Sequence, residues 1–293
     1  MEPARPAEHH HRLELSSVPI LHALVLGLVQ GLSEFLPISS SGHLLLVPWL
    51  FGWNDLTDPS VAKAFDVALH LGTLVAVIGY FRRDLVTYVR DGLALVVRRE
   101  RPATAEGRLA WLLVLSCIPA ALVGALFEDV IDEHLGSPGL IAASLVVFGV
   151  LLLVADRARG QRTLEQYTTR DALTIGAAQV LALNPGTSRS GITMTAARWM
   201  GFDRDAAARA SFLMAIPVTG GAVVFKLAGL VSDGVPDGLL TPMVVGIVAA
   251  GVSGWAAVWG TLRLVRTRSF SGFVGYRLAL AVLVWALMIA GVR

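Results

Sequence analysis

Six stretches of the chain stay apolar long enough to cross a bilayer as helix, which takes about 20 residues. They are 63–81, 109–127, 139–155, 210–230, 241–260 and 273–292. Two further stretches, 18–50 and 171–200, are apolar but interrupted by Pro, Gly and Ser, so they do not read as clean spans. Irregular backbone cannot face lipid, because its N–H and C=O groups find no partner there. If these two stretches enter the membrane, the other helices must wrap them.

The connections sort by charge. Segments 82–108 (Arg82, Arg83, Arg90, Arg98, Arg99, Arg101, Arg108), 156–170 (Arg157, Arg159, Arg162, Arg170) and 263–272 (Arg263, Arg266, Arg268) are basic. Segments 128–138 (Glu128, Asp129, Asp132, Glu133) and 231–240 (Asp233, Asp237) are acidic. The positive-inside rule places the basic group on the cytoplasmic side. The six spans then run inward, outward, inward, outward, inward and outward. This alternation closes only if 171–200 enters from the cytoplasm and returns there, and if 18–50 does the same from outside or crosses once. Both stretches are therefore predicted as re-entrant hairpins. Within 82–108, Leu85 to Val97 is expected as a short helix lying on the inner surface.

A shift of 149 residues superposes Ala23, Leu24, Gly27, Gln30, Leu32, Ser39, Ser41 and Gly42 on Ala172, Leu173, Gly176, Gln179, Leu181, Ser188, Ser190 and Gly191. Each half then holds one interrupted hairpin followed by three spans, and three being odd, the second half is inverted relative to the first. Inverted repeats with broken helices place a ligand site near the midplane, between the halves. The predicted fold is an all-α integral membrane protein with an inverted-topology repeat. It comprises a disordered tail (1–17), a first repeat (18–155), a cytoplasmic linker (156–170) and a second repeat (171–293), all forming one membrane domain.

Composition agrees. Hydrophobic residues are 55% and charged residues 16% of the chain, against roughly 25% charged in a soluble domain, and mean hydropathy is +0.65. The formal charge of +2 does not point to nucleic acid, because the arginines cluster in short segments between spans. Cys117 is the one cysteine; it lies in an apolar run and reads as packing. His9, His10 and His11 in the tail lack a second cluster of ligands, and the tail lacks the basic start and apolar core of a signal peptide.

The interrupted stretches carry the chemistry. The first contains Gln30-Gly31-Leu32-Ser33-Glu34, then Pro37-Ile38-Ser39-Ser40-Ser41-Gly42-His43. Gln30 and Glu34, four apart, share a helix face. Pro37 ends that helix or opens the turn. The serines then offer hydroxyls and N–H groups at the start of a new helix, Gly42 to Leu50, a suitable seat for phosphate. The second contains Asn184-Pro185-Gly186-Thr187-Ser188-Arg189-Ser190-Gly191-Ile192-Thr193. Arg189 is expensive to bury, and guanidinium grips phosphate oxygens in pairs. Glu34, Ser40, His43 and Arg189 are thus the candidate catalytic set, with Gln30, Ser41, Ser188, Ser190 and Thr193 as further substrate contacts. Serines in membrane helices also serve close packing. Asp66 and His70, four apart near the outer end of 63–81, either support the site from behind or sit at the lipid interface.

With these motifs the chain resembles the undecaprenyl-diphosphate phosphatases of the bacitracin-resistance type. The resemblance covers essentially everything after Ser17: Gly27 to Leu44, Phe65-Asp66-Val67 with His70-Leu71-Gly72-Thr73, Ile118-Pro119, Pro185 to Thr193, and Ser211-Phe212-Leu213 with Ile216-Pro217. It is carried most specifically by a glutamate motif, [Glu/Gln]xxxGlu, and by Pro-Gly-x-Ser-Arg-Ser-x-x-Thr. The resemblance implies removal of the terminal phosphate from undecaprenyl diphosphate, at a site open to the outer face of the bacterial cytoplasmic membrane, and tolerance of bacitracin. It also implies a divalent cation, magnesium or calcium, on Glu34 alone or with Gln30. Carried over, Gln30 and Glu34 form the glutamate motif, Ser40 and His43 the serine–histidine part, and Arg189 the phosphate anchor. Many relatives have Glu at the position of Gln30, so this chain offers one fewer anionic ligand. Ser40 or a water would attack the phosphorus, with His43 as general base or acid.

The expected partners are the lipid diphosphate and membrane lipid, with a homodimer compatible and no nucleic acid. The competing reading is a transporter that flips undecaprenyl phosphate or another anionic lipid, since paired re-entrant hairpins are also a transporter architecture.

Overall fold

The computed structural model describes residues 18–98, 104–235 and 238–292. The expected tail 1–17, with its three histidines, lies outside the described residues, as do Arg99, Arg101 and Asp237. The described residues form eleven α-helices and no β-sheet: α1 (Ile20–Phe35), α2 (Ser40–Phe51), α3 (Pro59–Tyr80), α4 (Arg82–Leu93), α5 (Ala105–His134), α6 (Pro138–Asp156), α7 (Thr169–Gln179), α8 (Arg189–Trp199), α9 (Arg204–Asp233), α10 (Leu240–Val265) and α11 (Ser271–Ile289). Six of them, α3, α5, α6, α9, α10 and α11, are long and apolar enough to cross a membrane. Each contains most of one apolar stretch seen in the sequence. Their ends differ because a helix continues into polar residues where apolar character stops.

The two interrupted stretches became pairs of short helices. At 1.5 Å per residue, α1 and α2 are about 24 and 18 Å long and α7 and α8 about 17 Å each, short of a hydrocarbon core about 30 Å thick. The chain breaks between α1 and α2 because Pro37 holds Leu36 extended (φ −70°, ψ 142°). Ser39 then takes a left-handed φ of 79°, and its hydroxyl caps α2 by accepting the Gly42 N–H at 3.3 Å. One repeat shift away the same device recurs: Ser188 has φ 76° and accepts the Gly191 N–H at 3.0 Å. Such angles are rare for residues other than glycine, so both turns are held from outside. Ser39 Oγ also accepts the Gly186 N–H at 3.0 Å, and Ser190 Oγ donates to the Leu36 carbonyl at 3.0 Å. Each elbow thus supplies a bond that completes the other.

Both ends of each pair lie together. At the start of α1, His22 stacks on Trp53 beyond the end of α2, with ring centroids 3.7 Å apart, and bonds Asp55. At the other pair, the Arg162 guanidinium bonds Asp171 at the start of α7 and the Met200 carbonyl just past α8. The α7 end is further fixed by a reciprocal cap between Thr168 and Asp171.

Small residues set the packing. α1 lies along α10, where a Cβ on Gly31 would stand 2.4 Å from the Ala250 carbonyl. α7 lies along α5 through the same kind of seam, where a Cβ on Gly176 would stand 2.5 Å from the Ser116 carbonyl. Close backbone approach through small residues is how helices associate where water gives no hydrophobic drive. The outside of the bundle is apolar, with Phe225, Val252, Leu283 and Ile289 exposed. The short helix expected at 85–97 is α4, continued by a π-turn at Ala94–Arg98. It exposes Val86, Val89 and Leu93 and is tied to α5 by Trp111 Nε1 donating to the Gly92 carbonyl at 2.9 Å.

Candidate active site

Glu34 sits in the last turn of α1 and is buried, 7% exposed. From its own elbow Ser40 Oγ donates to Oε2 at 2.7 Å. From the other elbow Arg189 Nη2 donates to Oε1 at 3.0 Å. Gln30, one helical turn back, donates Nε2 to Oε2 at 3.3 Å. The sequence places Gln30, Glu34 and Ser40 in one interrupted stretch and Arg189 in the other, and the fold closes all four on one carboxylate. Arg189 is tethered in turn, with Nη1 donating to the Ser211 carbonyl at 2.8 Å, while its buried Nε has no partner.

Glu34, Ser40, Ser41, Ser188 and Arg189 line a cavity of about 220 Å³ between the two elbows and α3, α5 and α9. Asp66, His70 and Lys226 line its other side. They continue the electrostatics as a chain: Lys226 Nζ is 3.3 Å from Asp66, Asp66 is 3.2 Å from His70 Nδ1, and His70 Nε2 is 4.0 Å from Glu34. With Arg189 at the far end, a line of ionisable groups crosses the cavity and terminates in a cation at each end. Asp66 and His70 therefore belong to the cavity wall.

His43 is buried but is not in that wall. Its Nδ1 lies 2.6 Å from the Ser39 carbonyl and must donate to it, since a carbonyl only accepts. Nε2 lies 2.8 Å from the hydroxyl of Tyr276 on α11. With both nitrogens engaged, His43 braces the elbow from behind, and the imidazole facing the cavity is that of His70. Ser190 and Thr193 are also buried in the joint. Ser190 bonds the Leu36 carbonyl, and Thr193 Oγ1 donates to Ser211 Oγ at 2.8 Å.

Four residues of the site escaped the sequence reading: Gln179, Lys226, Tyr276 and Arg277. Arg277 is wholly buried inside α11. Its Nε donates to the Leu145 carbonyl at 3.0 Å and Nη1 to that of Pro37 at 3.1 Å. Nη2 reaches the carbonyls of Ser144, Gly186 and Thr187 at 3.3, 2.8 and 3.1 Å. One guanidinium thus ties both elbows to α6. A lone arginine within an apolar span was the signal available for it.

Among the described residues no group of three or more His, Cys, Asp or Glu stands ready as a metal site. Glu34, the hydroxyl of Ser40 and the amide oxygen of Gln30, which is buried without a partner, are all hard oxygen donors. Magnesium is commonly held by one or two carboxylates plus substrate phosphates, and this donor set fits a cation that the phosphates also bind.

Residues 23–283 match the model of the family described as bacitracin resistance protein BacA. The chain is similar to proteins named undecaprenyl-diphosphatase. One from Geobacter metallireducens is 47% identical over 261 residues, covering 88% of this chain and 94% of that protein. One from Pelobacter propionicus is 47% identical over 275 residues, covering 93% and 98%. One from Nocardioides sp. is 43% identical over 278 residues, covering 94% and 98%.

Proposed function

The chain belongs to the bacitracin resistance protein BacA family, and from that premise we propose that it hydrolyses undecaprenyl diphosphate to undecaprenyl phosphate and inorganic phosphate. This returns the lipid carrier to cell-wall synthesis and lowers the amount of the diphosphate that bacitracin sequesters. The observation that carries the reading is the clasp on Glu34, made by a hydroxyl from one elbow and a guanidinium from the other. A buried carboxylate, hydroxyl and arginine beside a cavity are what phosphoryl transfer requires, since that chemistry rests mainly on positioning and charge stabilisation.

Arg189 anchors the diphosphate through Nε and the edge now given to Glu34. Ser40 Oγ attacks the terminal phosphorus, its proton passing to Glu34. The bond from that phosphorus to the bridging oxygen breaks, the monophosphate leaves, and water releases the phosphoserine. The hydroxyls of Ser41 and Ser188 contact phosphate oxygens, and Ser190, Thr193 and His43 hold the elbows that present them. Glu34 and Gln30 would hold a divalent cation, magnesium or calcium, which would offset phosphate charge.

The architecture we infer is an inverted repeat, 18–155 and 171–293, joined by the 156–170 linker. The matched left-handed serines, the matched seams of α1 on α10 and α7 on α5, and the short length of both hairpins support it. Taken with the charge of the connections, α1–α2 enters and leaves at the outer face and α7–α8 at the inner face of the cytoplasmic membrane. Asp66 and Lys226 lie toward the acidic, outer ends of α3 and α9, so the cavity serves lipid diphosphate from outside.

The deciding assay is phosphate release from a short-chain isoprenyl diphosphate by the purified protein in detergent, with and without magnesium. In that assay Ser40→Ala falls on the order of 100-fold and gives no acid-stable phosphoenzyme. A loss of about tenfold, worth about 1.4 kcal/mol, shows instead that Ser40 positions an attacking water. Gln30→Glu keeps activity and tightens apparent magnesium affinity by adding a charged oxygen one turn from Glu34. An unmoved magnesium titration shows that the cation is not held by this motif.

A further inference from the structure

Gln179, in the last turn of α7, is 2% exposed, and neither its amide oxygen nor its amide nitrogen has a hydrogen-bond partner. A buried amide with both atoms unsatisfied is unusual, because stable folds pair nearly all buried polar groups. The repeat explains how it arises. Gln30, its counterpart one repeat shift earlier, spends Nε2 on Glu34 four residues on. At the matching distance from Gln179 stands Leu183, which offers nothing. Gln179 is instead one of the residues lining the cavity that contains Glu34, Ser40 and Arg189. In the same wall the Nε of Arg189 is likewise buried without a partner. Two residues that line one space thus each keep a donor buried without a partner, one charged and one neutral. The ligand that satisfies both is one rich in acceptors, and a phosphoryl group supplies three oxygens.

We propose that Gln179 contacts the substrate directly, its Nε2 donating to an oxygen of the phosphoryl group that Arg189 Nε also grips, and its Oε1 accepting from a water held beside that group. The inference rests on the diphosphatase reading above and adds to it the residue that completes the phosphoryl subsite from the second repeat. A leucine at this position fills similar space and removes an unsatisfied amide, so the two functions of the residue separate cleanly.

The test compares the parent, Gln179→Leu, Gln179→Met and Gln179→Glu in detergent, measuring thermal unfolding and phosphate release from a short-chain isoprenyl diphosphate. Gln179→Leu and Gln179→Met are expected to unfold at or above the parent temperature while kcat/KM drops at least about 100-fold, roughly the effect of removing one donor to a transition-state oxygen. Gln179→Glu, which keeps the acceptor but loses the donor and adds charge, is expected to raise KM. Apolar variants that retain parental kcat/KM, or that lose it only together with thermal stability, overturn the proposal. An inactive parent refutes the diphosphatase reading instead, so the two failures are distinct.

Discussion

Arg277→Met is expected to leave no properly folded protein in detergent, judged by loss of a single monodisperse peak and of cooperative unfolding. The guanidinium is fully buried and holds carbonyls from Pro37, Gly186 and Thr187 in the two elbows and from Ser144 and Leu145 in α6. Removing the donor strips the three loop carbonyls of that bond, each at about 1–3 kcal/mol. Water cannot replace it inside a bundle wrapped in lipid. The left-handed turns at Ser39 and Ser188 also depend on outside restraint and lose it together. Arg277→Lys separates charge from geometry. An ammonium keeps the charge and three donors, but one point cannot span five carbonyls in three segments. A lysine variant with parental unfolding behaviour would show that charge alone suffices there.

Arg189→Lys is expected to fold as the parent does and to lose on the order of 1000-fold in kcat/KM for isoprenyl diphosphate, as removal of an arginine that stabilises phosphoryl charge does elsewhere. Its guanidinium divides its nitrogens: Nη1 ties it to Ser211, Nη2 meets Glu34, and Nε is buried without a partner in the protein. An ammonium at the end of a flexible chain must choose among them and loses the paired, planar grip. Near-parental turnover in the lysine variant would mean that Arg189 supplies only a general positive potential. Thermal unfolding beside the kinetics confirms that the change lies in the chemistry.

The six long helices were readable in the sequence because twenty consecutive apolar residues have few other uses, and the two broken stretches because Pro37, Ser39, Gly186 and Ser188 interrupt a pattern that would otherwise continue. Glu34 and Arg189 were readable for a related reason, since charge among apolar residues demands a partner, and Ser40 through the serine-rich turn that opens a helix. Direction was not readable. His43 follows Ser40 by three residues on a helix, yet which side of α2 meets the cavity is decided by α11, through Tyr276. That His43 lies behind the elbow and His70 in the cavity wall therefore emerges only from packing. Lys226 and Arg277 were hidden by the strength of the apolar runs around them. Gln179 was visible only as one letter in a repeat, because its significance lies in bonds it fails to make within the protein.

The reciprocal bonds between the elbows also bear on how the chain is made. Ser39 and the Gly186 N–H it accepts are 147 residues apart in sequence. At about 5–20 residues per second, synthesis separates their appearance by roughly 7–30 s. For that interval the first hairpin has α2 begun by a turn that rare backbone angles disfavour, with polar groups still awaiting their partners, in a setting where lipid offers none. The bond from Gly186 can therefore reach Ser39 only after Asn184 to Ser190 emerge, so the first elbow acquires its full set of bonds late in synthesis.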